Sequence, residues 1–571
     1  MVNPRSAALL AETYQPDTTA VGGSLLGTAL VSMIPLVVVF VFLGLLKTKA
    51  HVAGLAGLAA AILVAVFAFG MPVELSLLSA SQGFLYGLFP IMWIVLAAIW
   101  LYELTVISGR FEDLRTSFNR VSDDPRIQGI IIAFCFGGLL EALAGFGAPV
   151  AITGVMLVSL GFSPMRAAAT VLLANTAPVA FGAIGIPIIT AGNLTGIDYH
   201  EIGAVVGRQT PILAMFVPLL LVMIVDGKRG IKQTWPIALV AGVAFAIAQF
   251  ISANFISVEL TDIIASLVAL VAVVVMLKFW KPKDTPEARE RLALAAKADH
   301  IEPVDGSGGG APVATAVSTE KLTAGRTLMA FLPYLVVIAI FSLAKLLTPL
   351  KTWLASTDLK FGWPGSDGNI LTTAGKTSTA TQYTFGWLST AGTLLVISGV
   401  IVVIAYKIKP SVAVKEFGRT IVKLKFALLT VGSVLALAYV MNQSGQTITI
   451  GQWLAAGTGT FFAFLSPILG WVGTAVTGSD TSANALFATL QQSAGEKAGL
   501  DPTLLVAANT SGGVVGKMIS PQNLTIAATA VGLLGRESDI LRRVLKWSVG
   551  LLLAMCVLVY LQSNLLAWMI P

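Results

Sequence analysis

The sequence predicts an all-α polytopic membrane protein of about 12 to 14 membrane segments, and three observations carry that prediction. Apolar runs of roughly 20 residues recur along the 571-residue chain, the length that crosses about 30 Å of hydrocarbon at 1.5 Å per residue. Only 11% of residues are charged and 56% are hydrophobic, with mean hydropathy +0.85, whereas soluble domains are about a quarter charged. Finally, two distant apolar stretches share a pattern of Asn, Gly and Pro that ordinary spans avoid.

The first apolar run, 25–46, follows a polar segment and lacks a small-residue cleavage pattern, so it reads as a retained span and not a signal peptide. Runs 52–70 and 84–107 follow, then the polar-spotted stretch 139–187, then 210–225, 235–255 and 261–280. Residues 281–325 mix charge with a Gly-Ser-Gly-Gly-Gly run and hold no apolar face, which predicts a flexible cytoplasmic linker. It would join an N-terminal half, 1–280, to a C-terminal half, 326–571. The second half continues with 327–347, a polar loop to 384, 385–406, 426–441, the stretch 473–532 and 547–568.

The formal net charge of +7 is distributed as membrane topology, which argues against nucleic-acid binding. Basic residues cluster in alternate loops: Lys47 and Lys49; Arg110, Arg115, Arg120 and Arg126; Lys228, Arg229 and Lys232; Lys407, Lys409 and Lys415; Arg536, Arg542, Arg543 and Lys546. Positive loops stay inside, so these are expected to be cytoplasmic, and loops 72–81, 193–201 and 356–381 to face outward with both termini. Cys135 and Cys556 sit in apolar runs, where a thiol behaves as a small hydrophobe. His51, His200 and His300 show no ligand spacing, so no metal or other cofactor is expected.

LLANTAPVAFGAIGIP at 172–187 and VAANTSGGVVGKMISP at 506–521 align at one constant shift. That shift takes Asn175 to Asn509, Gly182 to Gly516 and Pro187 to Pro521. Upstream, the turn Gly145-Phe-Gly-Ala-Pro has a counterpart at Gly478-Ser-Asp-Thr-Ser, and Ser163-Pro164 has one at Asp501-Pro502. The units extend over about 129–225 and 452–568. An Arg-rich loop precedes the first and an uncharged loop, 442–450, the second, so the units are expected to be inverted in the membrane. Inverted repeats with interrupted helices point to a secondary transporter whose site lies near the midplane, with re-entrant hairpins and broken helices.

Leu139-Leu140-Glu141 through Gly145-Phe-Gly-Ala-Pro, Asn175-Thr-Ala-Pro, Thr477-Gly-Ser-Asp-Thr-Ser and Lys517-Met-Ile-Ser-Pro-Gln resemble the bacterial L-lactate permeases across nearly the whole chain. More distantly, the paired Asn-Thr elements resemble the hairpin-containing anion transporters. The first resemblance implies a symporter of protons with L-lactate, and with D-lactate and glycolate, in the bacterial inner membrane. Its partners would be the small hydroxycarboxylate, protons and the bilayer; a homo-oligomer is left open.

A carboxylate needs donors or a cation, and broken helices supply both free N–H groups and a partial positive charge. Breaks at 175–178 and 509–513 would expose such donors, with Asn175, Thr176, Asn509, Thr510 and Ser511 as side-chain contacts and Gly145 and Gly147 shaping the first hairpin tip; for Asn175 and Asn509 the alternative is hydrogen bonding that only holds helices together. Lys517 is the candidate cation, with an ion pair to Asp480 or Glu141 as its equal alternative, because buried charges are generally paired. Arg166 and Arg208 read as snorkelling residues at helix ends. For proton coupling the candidates are Glu141, then Asp480, then Glu103, since burial favours the neutral form of a carboxyl; each has a fixed ion pair as its alternative. No Gly-x-x-x-x-Gly-Lys-Ser/Thr loop is present, so ATP coupling is disfavoured, and no convergent nucleophile and base suggests an enzyme. A sodium-coupled carboxylate transporter and a passive carboxylate channel are the rival readings.

Overall fold

The structure, a computed structural model, describes residues 13–119, 121–145, 147–282, 284–298 and 323–571. Arg120, His300 and most of the predicted linker, with its glycine run, lie outside the described residues. The described chain is almost entirely helical. Ten helical runs are long and apolar enough to cross a membrane, or 11 when Pro164–Ala174 and Val179–Thr195, which meet at 61°, count as one bent span.

That count is below the 12 to 14 segments expected, because neighbouring apolar segments fall within one helical run and are divided only by backbone breaks. Tyr199–Ile256 has 58 residues, and at about 20 residues per crossing of about 30 Å of hydrocarbon it holds more than one pass. The expected spans 210–225 and 235–255 both fall within it, separated where the backbone leaves helical geometry at Gly227 (φ 66°, ψ −154°). A similar break divides the 35-residue run Val73–Ile107 at Phe89 (φ −138°, ψ 121°), which Pro90 forces out of the α region.

Each repeat unit is a hairpin followed by a broken helix. In the first unit the hairpin arms are Gly137–Ala144 and Ala148–Ser159, and the broken helix is Pro164–Ala174 with Gly182–Thr195. The second has Phe462–Thr477 with Asp480–Ala498, then Pro502–Gly516 with Pro521–Val531. Local sequence explains the starts. Ser163, Asp501 and Ser520 each stand before a proline at the first helical position, and each side chain accepts the N–H three residues on.

The two units exchange contacts. Ala148–Ser159 of the first packs on Pro521–Val531 of the second, and Asp480–Ala498 of the second packs on Gly182–Thr195 of the first. Asn484 Nδ2 donates to Pro187 O at 3.1 Å and Gln492 Nε2 to Thr195 O at 3.2 Å. At the other contact, a Cβ on Gly147 would stand 2.3 Å from Ile526 Cδ1, so this hairpin tip needs glycine both for space and for its φ of 90°.

Part of the expected linker is ordered. Residues Thr285–Ala298 form a helix, as their Ala, Glu, Arg and Leu content favours. It docks on a buried charged cluster in which Arg126 pairs with Asp124 at 2.7 Å and Asp226 at 3.4 Å. Arg291 joins Asp226 at 2.7 Å and the Thr285 hydroxyl donates to Asp124 at 2.8 Å. The polar loop before 384 also has structure: Leu359–Gly362 pairs antiparallel with Gln382–Phe385, and Tyr383 donates to Phe89 O at 2.8 Å.

Candidate functional site

A cavity of about 990 Å³ lies where the two units meet. Glu141, Gly145, Gly182, Asp480 and Lys517 line it, and it runs out to Lys47, Lys49 and His51 and to Glu537 and Ser538, beside two of the basic clusters.

Glu141 stands near the end of the short arm Gly137–Ala144 and Lys517 just past the end of Pro502–Gly516. They pair across the two units at 2.6 Å, with side chains only 3% and 9% exposed. Asn175 Nδ2 donates to the second carboxylate oxygen at 2.8 Å. Both oxygens of Glu141 are therefore occupied, one by each unit. Two glycines make room for them. A Cβ on Gly182 would lie 2.9 Å from Glu141 Oε1, and one on Gly145 at 3.3 Å.

After Gly182 the chain takes left-handed geometry at Ala183 (φ 45°), Ile184 (φ 62°) and Gly185 (φ 72°) before helix resumes. At non-glycine residues this costs of order 1–3 kcal/mol each and is most unusual for a β-branched side chain. The first broken helix is thus bent around the carboxylate under strain.

Asp480 opens the helix Asp480–Ala498, whose N-cap Ser479 accepts from Ser482 N. Its Oδ1 accepts from the Thr474 hydroxyl at 3.4 Å, while Oδ2 has no hydrogen-bond partner among the described residues. A Cβ on Gly513 would sit 1.9 Å from Oδ1, so that glycine is required by the carboxylate. Thr481 and Ser482 line the cavity as well, and Pro521 and Gln522 bring a second helix start to its wall. Where the units meet, the cavity therefore brings together the Lys517 ammonium, the Glu141 and Asp480 carboxylates and two helix N-termini, which favour anions.

Of the candidate substrate and proton residues, Glu141, Asp480, Lys517 and Gly145 line this cavity, and Asn175, Thr176, Asn509, Thr510, Ser511, Gly147 and Glu103 do not. Asn175 reaches Glu141 instead, and Thr176 turns back to Leu173 O at 2.7 Å. Asn509 and Thr510 are consumed in a buried amide network. Asn509 donates to Asn484 Oδ1 at 2.8 Å and accepts from Gln491 at 3.2 Å, and Asn484 donates to Thr510 at 2.9 Å. Ser511 donates to Gln209 at 2.6 Å. The expected break at 509–513 is absent, because that unit has no counterpart of Pro178 and Pro502–Gly516 runs through as helix. Gly512 and Gly513 serve close packing against Pro467 and Asp480. Glu103 lies elsewhere, paired with Lys423 at 2.7 Å. Arg166 donates to Val225 O at 2.7 Å and Arg208 to Met569 O at 2.7 Å, away from the cavity.

Sequence reading passed over Asn484 and Gln491. The signal was there: Asp480, Asn484 and Gln491 recur at helical spacing and form one polar stripe along the helix.

The profile of the L-lactate permease family matches residues 28–566. The chain is 43% identical over 553 residues to the glycolate permease GlcA of Escherichia coli K12, covering 95% of this chain and 97% of that protein. It is 41% identical over 573 residues to the L-lactate permease of Bacillus subtilis 168, covering 97% and 99%. Among solved structures, the YdaH transporter of Alcanivorax borkumensis aligns over 87% of this chain and 88% of its own at 15% identity and a TM-score of 0.47. With its many membrane-length helices, the chain belongs to the L-lactate permease family and is a multi-pass membrane permease, not an enzyme.

Proposed function

We propose that the protein imports L-lactate, D-lactate and glycolate by proton symport across the bacterial inner membrane. Glu141 takes the proton and Lys517 takes the substrate carboxylate. The observation that carries this reading is the Glu141–Lys517 pair at 2.6 Å on the wall of the cavity.

A buried ammonium and carboxylate hold each other neutral, and removing one partner leaves an uncompensated charge worth several kcal/mol. Protonating Glu141 alone therefore strands Lys517; placing a substrate carboxylate beside Lys517 alone strands Glu141. Only when proton and substrate arrive together is every charge matched. Each then raises the affinity for the other by the same factor, which is the coupling a symporter needs. Asn175 holds the Glu141 carboxylate toward Lys517 while the site is empty. Asp480, on the wall of the same cavity, accepts the hydroxyl that lactate and glycolate carry next to their carboxylate, and the start of Asp480–Ala498 adds N–H donors.

The cavity meets the surface beside the basic loops at 47–49 and 536–546. By the positive-inside rule that face is cytoplasmic and both termini are outside, so this conformation is the one that releases substrate inward. Reciprocal packing of the two units supports inverted repeats that exchange roles to open the other side.

A sodium-coupled reading has one observation in its favour, the unpartnered Asp480 oxygen near the second hairpin tip. Labelled-lactate uptake into proteoliposomes, with pH gradient, membrane potential and sodium varied independently, separates the readings. Accumulation above equilibrium under an inward proton gradient in sodium-free buffer is expected. A sodium requirement would overturn proton coupling, and uptake that only equilibrates would mark a channel.

A further inference from the structure

One membrane acid has no place in this scheme. Asp262 lies in the first turn of Thr261–Phe279 and is fully buried. Its Oδ1 accepts from Gln249 Nε2 at 3.2 Å, and its Oδ2 has no hydrogen-bond partner among the described residues. The start of a helix suits a carboxylate, yet an unmatched oxygen in the interior is costly for the charged form.

Two routes of contact lead from Asp262 toward Glu141. Gln249 Nε2 also donates to Ala177 O at 3.1 Å, in the break of the first broken helix, and Asn175 in the same break donates to Glu141. Ser266, one turn beyond Asp262, faces Gly138 so closely that a Cβ there would lie 2.5 Å from Ser266 Oγ. Gly138 is one turn before Glu141, and the Ser266 hydroxyl is itself unpartnered. Glu141 and Lys517 act electrostatically on Asp262. Segments 130–136, 182–195 and 252–256, which also pack on its helix, carry no charge, Cys135 being their one titratable side chain. In Val217–Ile251 the nearest charged residue, Lys232, is about four to five turns from Gln249.

On its other side Asp262 is three residues from Glu259, which accepts from Tyr199 Oη at 2.9 Å and Ser257 Oγ at 2.7 Å. Glu259 lines a second cavity of about 350 Å³ with Asn193 and Lys351, and that cavity shares no lining residue with the one at Glu141. Asp262 is thus a buried acid that lines neither cavity, linked by hydrogen bonds through Gln249 to the break beside Glu141 and lying three residues along the chain from Glu259.

We propose that Asp262 is a second proton-carrying site, passing protons between the cavity at Glu259 and Glu141 along a route the substrate does not take. This rests on Glu141 being the coupling acid. In the inward step the Ser266 hydroxyl, bonded to neither acid in this structure, turns to bridge them, taking a proton from the Asp262 carboxylic acid and giving its own to the Glu141 carboxylate. Asp262 is left as carboxylate and Glu141 as acid; Lys517 keeps its proton, and Asp262 is reloaded from the Glu259 side.

Asp262→Asn and Ser266→Ala, reconstituted beside wild type and Glu141→Gln, test the relay by two readouts: lactate uptake under an imposed pH gradient, and lactate counterflow without one. Asp262→Asn should slow gradient-driven uptake by about a hundredfold, the low end for a positioned proton carrier, and leave counterflow unchanged. Ser266→Ala should slow the same mode by a smaller factor and, losing only a hydroxyl, decides the matter should Asp262→Asn not fold. Full gradient-driven uptake in the folded variants, with Glu141→Gln inactive in that mode, overturns the relay and leaves symport through Glu141 standing. Full uptake in Glu141→Gln removes that underlying reading instead. Loss of counterflow together with uptake in a variant of unchanged melting temperature overturns a role confined to the proton.

Discussion

The two repeat units carry the same Asn-Thr, Gly and Pro landmarks at a constant shift, and they use them differently. In the first, the chain breaks after Asn175, passes through three left-handed residues and presents Asn175 to Glu141. In the second, the helix runs through Asn509 to Gly516, and Asn509 is locked among Asn484 and Gln491. The first unit contributes the carboxylate and the amide that holds it; the second contributes the ammonium and a further carboxylate. Neither contains a balanced site alone. Shared sequence landmarks therefore specify shared backbone architecture, while the chemistry arises where the units face each other.

The harshest way to break this division is to remove the charge of one unit only. Lys517→Ala leaves Glu141 buried without its cation, which is expected to destabilise the protein by about 3–5 kcal/mol and to abolish both gradient-driven uptake and counterflow. Thermal melting in detergent and vesicle assays read the two effects. Glu141→Gln/Lys517→Met, which removes both charges, should recover most of the lost stability and none of the transport. If the double variant is no more stable than Lys517→Ala, the charge pairing between units is not what the lysine supplies.

Glu141→Gln alone is milder, because a neutral amide at 141 mimics the protonated acid and leaves Lys517 free for substrate. Uptake driven by a pH gradient should be lost and counterflow spared. Intact pH-dependent accumulation in this variant would take Glu141 out of the mechanism.

The asparagines sharpen the comparison further. Asn509→Leu strands amide partners in a fully buried network, so it should cost about 1–3 kcal/mol of stability for each group left unsatisfied and leave the proton dependence of the remaining transport unchanged. Asn175→Leu removes a hydrogen bond to a carboxylate and should alter the pH profile of uptake more than the melting temperature. Equivalent behaviour of the two variants would contradict the division of labour.

Glu141, Asp480 and Lys517 were legible because a charged residue within an apolar run is too costly to be incidental, whatever surrounds it. Asn175 and Asn509 were legible only as a matched pair. An amide can bond a substrate, a carboxylate or another amide, and the choice is made by what packs opposite, which no local pattern records. The same limit applies to Thr285–Ala298: its composition suits a helix, but a helix that is polar on most sides is held here by Arg291 on Asp226, a contact across 65 residues. Membrane passes were read well as apolar runs and less well as a number, since the passes on either side of Gly227 belong to one helical run bent there, not to two helices set apart by a loop.

Glu103 is the smallest and most discriminating case. It too is an acid on an apolar helix, and by sequence it stands third as a proton carrier, after Glu141 and Asp480. The structure places it against Lys423 at 2.7 Å, with Lys423 also 3.7 Å from Glu416 and its side chain 54% exposed. A pair open to solvent on one side contributes at most about 1 kcal/mol, and Glu103 touches no part of the cavity. Glu103→Gln should therefore shift the melting temperature by little and change neither gradient-driven uptake nor counterflow. In the proposed symport the coupling acid is one that spans the two units, and not merely one placed within a span; loss of pH-driven uptake in Glu103→Gln would show that burial between the units is the wrong criterion.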